Sequence, residues 1–239
     1  MIHQKIIDSK GEEKLFALLL DPDKCDGDHL EKLLPIALQS NVTMLLVGGS
    51  LVKADLGSFI STIKKRSPLP VVIFPGNAMH FSTEADAILL LSLISGRNSD
   101  FLIGNHVIAS NAIKTSGLEV LPTGYILIDG GVQTSVQYMS NTMPIPATKI
   151  DIAVATALAG EQLGLKMIYL EAGSGAKTPV PIEMIKAIRN EISIPLIVGG
   201  GLKTPEQVKA AWNAGADMVV VGNALENDIE RLSLMADRT

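Results

Sequence analysis

Short aliphatic runs alternate with longer amphipathic stretches along the chain. The runs lie at residues 14–20, 43–47, 70–74, 87–93, 118–128, 166–170, 195–198 and 218–221, the fifth broken by Pro122 and Gly124. Each is rich in Leu or β-branched residues and stops near Gly or Asp, as buried parallel strands do. Between most of them the apolar positions shift to helical spacing, at 28–40, 53–66, 99–115, 148–163, 181–191, 204–214 and 224–235. Asp28 is placed to cap the first of these, and Pro181 to open the fifth. Thr204, followed by Pro205, Glu206 and Gln207, predicts a capped start, and Gly215 the stop. Eight strands alternating with helices predict an α/β fold, a (β/α)8 TIM barrel, as a single domain over residues 1–239. A doubly wound open sheet is the alternative, and it requires fewer strands and a switch point. Two connections break the rhythm. Residues 76–86 are too few for a full crossover helix and its loops, so a short helix or an irregular link is expected there. Residues 130–147, rich in Ser, Thr, Gln and Pro, predict a long loop of the lid or interface kind.

Composition narrows the function classes. Apolar residues make up 47% of the 239 and charged residues 19%, enough for a sizeable core and against disorder. The five Phe, three Tyr and one Trp leave the interior to aliphatic side chains. Twenty basic against 25 acidic residues give a net charge of −5, which argues against a nucleic-acid partner. Any anion must then be held locally, by backbone amides, a metal or a few side chains. The single cysteine, Cys25, excludes an internal disulfide and fits a reducing cytoplasm. No apolar run approaches the ~20 residues of a membrane span, and the first residues lack an apolar signal core. A soluble, cytoplasmic protein with no membrane span is expected.

The chemistry-bearing residues collect where the strands end, the active face of a barrel. The sixth run leads into Tyr169, Leu170, Glu171, Ala172, Gly173, Ser174 and Gly175, the seventh into Gly199, Gly200 and Gly201, the eighth into Gly222 and Asn223. Three glycine-rich loops at adjacent strand ends point to a phosphate site, because glycine lets backbone amides approach an anion. Taken singly, such glycines would only make tight turns. At Gly200 a side chain is expected to fall where a phosphate oxygen sits. Asp21 and Ser50 end the first two runs. A carboxylate and a hydroxyl on neighbouring strands suit oxygen-ligated Mg²⁺ bridging substrate phosphates. The plainer alternative has Asp21 capping a turn and Asp23 solvated. The four histidines, His3, His29, His80 and His106, lack metal-ligand spacing, and local hydrogen bonds are expected of His80 and His106.

With these residues in place, the chain resembles the geranylgeranylglyceryl phosphate synthase family. The resemblance lies in LFALLLDPDK (15–24), LLVGGS (45–50), YLEAGSGA (169–176), IVGGGLKTPEQ (197–207) and GADMVVVGNALE (215–226), spanning almost the whole chain. It implies a barrel modified with a short or missing third helix, the one after the third strand. It further implies a Mg²⁺-dependent prenyltransferase joining sn-glycerol 1-phosphate to a polyprenyl diphosphate, usually geranylgeranyl diphosphate, with release of diphosphate. By that resemblance Asp21 and Ser50 match the metal positions, and residues 169–175, Gly200, Gly201, Gly222 and Asn223 the glycerol-phosphate positions. Leu19 stands where some relatives carry Lys, which removes a diphosphate contact. Glu171 is the carboxylate best placed to take the hydroxyl proton, or else to position glycerol, and Tyr169 would orient that hydroxyl or line the wall. The prenyl tail needs an apolar groove, expected along the third and fourth strand–helix segments. Members associate as dimers or larger rings such as hexamers; the 130–147 loop and Trp212 are candidate contacts.

Two other classes compete. One is another phosphate-handling barrel enzyme, a sugar-phosphate isomerase, an epimerase or a flavin enzyme. An isomerase needs a second acid or base facing Glu171, and only Asp21 or Asp129 offers itself. The other is a catalytically silent binding or assembly protein.

Overall fold

The computed structural model describes residues 1–225 and 228–238. Its strands are β1 (Leu15–Leu20), β2 (Met44–Gly48), β3 (Val71–Phe74), β4 (Ala87–Leu93), β5 (Glu119–Leu127), β6 (Met167–Glu171), β7 (Leu196–Gly199) and β8 (Met218–Val221). They pair in parallel in chain order, and β8 pairs back onto β1 with Leu18 opposite Val221, closing the barrel. Closure excludes the open sheet. All eight aliphatic runs became strands, with ends displaced by at most one residue. The helices are α1 (Ile2–Asp8), α2 (Gly27–Gln39), α3 (Leu56–Lys64), α4 (Asn105–Ser116), α5 (Ser135–Ser140), α6 (Ile150–Gln162), α7 (Ile182–Glu191), α8 (Pro205–Asn213) and α9 (Leu232–Met235). Among the described residues no helix is long and apolar enough to cross a membrane.

Strand alternation builds two cores. Leu15, Ala17, Met44, Leu46, Val72 and Ile197 point into the barrel, where layers of side chains fill it. Phe16, Leu18, Leu45, Val47, Ile73 and Val198 point outward under the helices. Trp212 belongs to this outer core. It is buried, its Nε1–H donates to the Leu15 carbonyl at 3.1 Å, and its ring meets Phe16 edge-on. It is therefore a packing residue and not a surface contact between copies.

Local chemistry explains the helix ends. The box at α8 is present: the Thr204 side chain accepts the Gln207 N–H, and the Gln207 side chain returns to the N-cap backbone. At α2 the cap is Asp26, which accepts the His29 N–H at 2.8 Å, and Asp28 lies in the first turn. Pro181 is the N-cap of α7. The segment 224–235 is not one helix. It divides into 3₁₀ turns at Asn223–Leu225 and Ile229–Arg231 and the short α9, with non-helical backbone at Asp228. Glu226 and Asn227 of that segment lie outside the described residues. The loop 130–147 contains α5 and is tied down by a bridge between Ile128 and Ile145. The polar N-terminus forms α1, whose Ile2 and Ile6 join the barrel interior. Glu119 accepts the Ile2 and His3 N–H groups at 2.6 and 2.9 Å, so a carboxylate stands at this helix start.

No helix joins β3 to β4; residues 75–86 run as turns and bends. The third barrel helix is thus missing, in line with the short spacing. β4 consequently keeps Leu90, Leu91 and Ser92 only partly buried in mid-strand.

Near the strand starts, Asp217 is buried and accepts Arg189 Nη1–H at 2.9 Å and the Leu196 N–H at 2.8 Å. Arg189→Ala leaves that carboxylate without its cation, and thermal unfolding should register a loss of about 3 kcal/mol.

Candidate active site

The carboxyl ends of the strands carry nearly all the residues singled out above. β6 ends in Tyr169, Leu170 and Glu171, all buried. The loop after it turns back at Gly173, whose φ is +96° and where a Cβ would lie 2.4 Å from Thr134 Cγ2. The Gly173 N–H donates to Glu171 Oε1 at 2.6 Å. Glu171 is 6% exposed, and burial pushes its carboxyl up to about 7, the Gly173 N–H and the Tyr169 hydroxyl opposing that rise. Such a group exchanges protons near neutrality, which suits a general base.

The β7 loop crosses directly above it. Gly200 has φ +78°, and a Cβ there would lie 2.2 Å from Glu171 Oε1, 2.5 Å from the Gly173 nitrogen and 2.8 Å from the Ala172 nitrogen. The expectation that a side chain at Gly200 would occupy a phosphate position is corrected here. It would strike the Glu171 carboxylate and its supporting loop before it reached open space. Beyond these contacts the loops face outward. Ser174, Gly175 and Asn223 are exposed and Gly200, Gly201 and Gly222 half-buried. Ser174 Oγ–H donates to Asn223 Oδ1 at 2.6 Å, linking the loops after β6 and β8. Gly222 packs on β1, where a Cβ would stand 3.2 Å from the Leu19 carbonyl oxygen. Leu19 itself packs against the barrel-interior cluster.

The Tyr169 ring is fully buried and stands edge-on to Tyr125 and Phe74, at centroid distances of 5.3 and 5.7 Å. Its buried hydroxyl makes no hydrogen bond of good geometry, and its polar interaction is with the Glu171 carboxylate, whose ionised form it favours. It lies against Gly199, where a Cβ would come within 2.4 Å of it. A buried hydroxyl this close to Glu171 can donate to that carboxylate when it ionises.

On the other side of β8, Asp21 and Ser50 end neighbouring strands. Asp21 Oδ1 accepts the Asp23 N–H at 3.1 Å, so Asp21 does shape a turn. Its Oδ2 lies 3.7 Å from the Lys24 ammonium, and a Cβ on Gly49 would also stand 3.7 Å from that oxygen. Asp23 is not merely solvated: its carboxylate accepts the N–H groups of Lys53 and Ala54, at 2.8–3.1 Å. Among the described residues no group of three or more His, Cys, Asp or Glu side chains is placed to hold a metal. The donor set at Asp21 and Ser50, one carboxylate and one hydroxyl, consists of hard oxygens. It fits Mg²⁺, which takes most of its remaining ligands from water and phosphate. Asp129 is exposed, accepts the Gly131 N–H at 2.9 Å and is not among the groups that shift the Glu171 carboxyl. His80 Nδ1 accepts the Gly76 N–H at 3.0 Å and His106 Nε2 lies 2.9 Å from the Leu91 carbonyl, local bonds as expected.

Sequence reasoning placed the apolar groove only by neighbourhood. It opens where the third helix is missing, lined by Phe74, Phe81, Ile88, Leu90, Phe101 and Tyr125 among others, and Ser50, Asn77, His80 and His106 are among its polar lining residues. Phe101 sits on a π-helical turn (Asp100–Gly104) that precedes α4. The aromatic residues ending β3 and lying in β5, in a chain this poor in aromatics, were the available signal.

Fold and geometry together define the class: a (β/α)8 barrel with a buried, proton-exchanging carboxylate at its mouth and an apolar groove beside it. The chain belongs to the PcrB family, which it matches over residues 7–237. It is 54% identical over 225 residues to the geranylgeranylglyceryl phosphate synthase of Spirosoma linguale, covering 93% of this chain and 90% of that one. The synthase of Flavobacterium johnsoniae is 52% identical over 229 residues, covering 95% and 94%. Among solved structures, (S)-3-O-geranylgeranylglyceryl phosphate synthase of Thermoplasma acidophilum, in complex with sn-glycerol-1-phosphate, superposes with a TM-score of 0.92. That match has 30% identity and covers 99% of this chain and 97% of the other.

Proposed function

We propose that this protein joins sn-glycerol 1-phosphate to geranylgeranyl diphosphate, or to another polyprenyl diphosphate, as a Mg²⁺-dependent prenyltransferase of ether-lipid synthesis. The observation that carries the reading is the apolar groove with Ser50 in its lining, one strand from Asp21 and at the same end of the barrel as Glu171. A sugar-phosphate isomerase or epimerase acts on a polar substrate that leaves such a groove unfilled, and Asp129 is exposed and engaged with the Gly131 N–H.

The residues then divide the work. The cup formed by residues 169–175, Gly200, Gly201, Gly222 and Asn223 binds glycerol phosphate, largely through backbone amides. Glu171 takes the proton of the glycerol hydroxyl as that oxygen bonds the allylic carbon. Tyr169 lines the wall and offers its hydroxyl toward the same region. The bond from the allylic carbon to diphosphate breaks, and the electron pair leaves with the diphosphate. Asp21 and Ser50 would hold Mg²⁺, which when bound supplies positive charge to the leaving group. The two substrates meet because β8 and β1 are neighbours, and the hydroxyl must come within ~3–3.5 Å of the allylic carbon. The reading includes a cytoplasmic enzyme that associates as a dimer or larger ring, with exposed Tyr138 and Met143 as apolar surface for it.

Incubation with labelled sn-glycerol 1-phosphate, Mg²⁺ and prenyl diphosphates of several lengths tests this. Label should move into an organic-soluble ether with equal release of diphosphate; no transfer at any length contradicts it. Asp21→Asn should lower turnover on the order of 10²-fold or more. Its glycerol-phosphate affinity, read by calorimetry, should stay at the wild-type value.

A further inference from the structure

We propose that Asp23 is a positioning residue for the diphosphate end of the reaction: it fixes the loop after β2 against the turn after β1, and so sets where Ser50 stands relative to Asp21. The inference rests on the transfer reading above and deepens it.

The β1–β2 ladder ends with Leu20 opposite Val47, before either Asp21 or Ser50 is reached. Among the described residues no hydrogen bond joins those two side chains. Asp23 supplies the missing link. Its Oδ1 and Oδ2 accept the Lys53 N–H at 3.1 and 3.0 Å, and Oδ1 also accepts the Ala54 N–H at 2.8 Å. Charge-assisted bonds of this kind are short and directional. The same residue's N–H donates to Asp21 Oδ1 at 3.1 Å. One three-residue turn, stiffened by Pro22, thus orients the Asp21 carboxylate with its backbone and the Ser50 loop with its side chain.

The far side of that loop is fixed by packing. Gly76 presses on it so closely that a Cβ there would lie 2.3 Å from the Gly49 carbonyl oxygen and 2.7 Å from that of Ser50. The Gly76 N–H is itself held by His80. Ser50 is therefore gripped between the β1 turn and the β3 loop, and Asp23 is the grip on the first side. A carboxylate is needed because donors approach both oxygens. Asn would offer one oxygen and set its own NH₂ against an N–H.

The test uses full-length Asp23→Asn and Asp23→Ala beside the wild type. Three quantities are read: hydrogen exchange at the Lys53 and Ala54 amides, calorimetric affinity for geranylgeranyl diphosphate as Mg²⁺ is varied, and kcat with KM for each substrate. In Asp23→Ala both amides should exchange at least ~10-fold faster, and prenyl diphosphate affinity should fall about 10-fold with a higher Mg²⁺ requirement. At saturation kcat should stay near wild type, and the sn-glycerol 1-phosphate KM should not move. Asp23→Asn should fall between the two, and it carries the test if the alanine variant folds poorly. Faster exchange with unchanged diphosphate and Mg²⁺ affinity would reduce Asp23 to a structural link and overturn the proposal. Equal weakening of both substrates would overturn it as general loosening. A wild type that binds the diphosphate but makes no ether sinks the transfer reading, while exchange and diphosphate affinity still decide for or against Asp23.

Discussion

Glu171→Gln is expected to lower kcat by ~10²–10⁴-fold, the range for loss of a general base, with little change in how glycerol phosphate binds. Gln keeps the shape and can still accept the Gly173 N–H, but it takes no proton. Because burial raises the Glu171 carboxyl to about 7, the wild-type kcat/KM should climb with pH through that value as the base ionises, and the variant should lack this limb. Stability runs the other way. The folded state holds the proton up to about 7, whereas an exposed Glu releases it near ~4.3. Between these values the folded protein binds more protons than the unfolded one, so stability falls as pH rises through about 7. The variant escapes this cost and should melt higher than wild type at pH 8, by an amount on the order of 3 kcal/mol, and lose that advantage near pH 4. Melting curves at the two pH values and a kcat/KM profile check both halves. A variant with wild-type kcat would make Glu171 a positioning group for glycerol.

Gly200→Ala should be as damaging through geometry alone. Its backbone is left-handed, and the added carbon would sit 2.2 Å from Glu171 Oε1 and under 3 Å from two backbone nitrogens. Left-handed strain and the clash should together cost about 2–4 kcal/mol in thermal unfolding. They also push Glu171 and the residue 172–173 amides out of place. A displacement of about 1 Å at a reacting group costs on the order of 10²-fold in rate, so turnover and glycerol-phosphate affinity should both collapse. Prenyl diphosphate binding should persist, its anchor lying beyond β8. Equal loss of both ligands, in a variant that still melts cooperatively, would refute the division into two sites.

The barrel was legible because strand burial is written in short, local signals. Aliphatic runs closed by Gly or Asp marked every strand, and Thr204 with Gln207 marked a helix start by side-chain chemistry alone. The missing third helix followed from chain length between two strands. Signals that depend on distant partners were not legible. α1 is a helix of seven residues whose two buried isoleucines matter only because the barrel interior receives them. α5 lies in a polar stretch of six residues, too short for periodicity to show. Trp212 reads as a lone aromatic until its indole finds the Leu15 carbonyl. At the candidate site, Asp21, Ser50, Glu171 and the glycines could be singled out because strand ends converge in a barrel. The role of Asp23 depends on a loop about 30 positions away and leaves no local trace, whereas the groove could be placed by neighbourhood through the short spacing between β3 and β4.

The proposed reading has an acidic protein hold both substrates through two anion sites around one mouth, one built from backbone amides and one around Mg²⁺. Calorimetric titration of the wild type with each substrate separately, in Mg²⁺ and again in chelator, separates them most directly. Binding of sn-glycerol 1-phosphate should be the same in both conditions, and binding of the prenyl diphosphate should be lost without the metal. Glycerol-phosphate binding that needs Mg²⁺, or prenyl diphosphate binding that ignores it, would contradict the account.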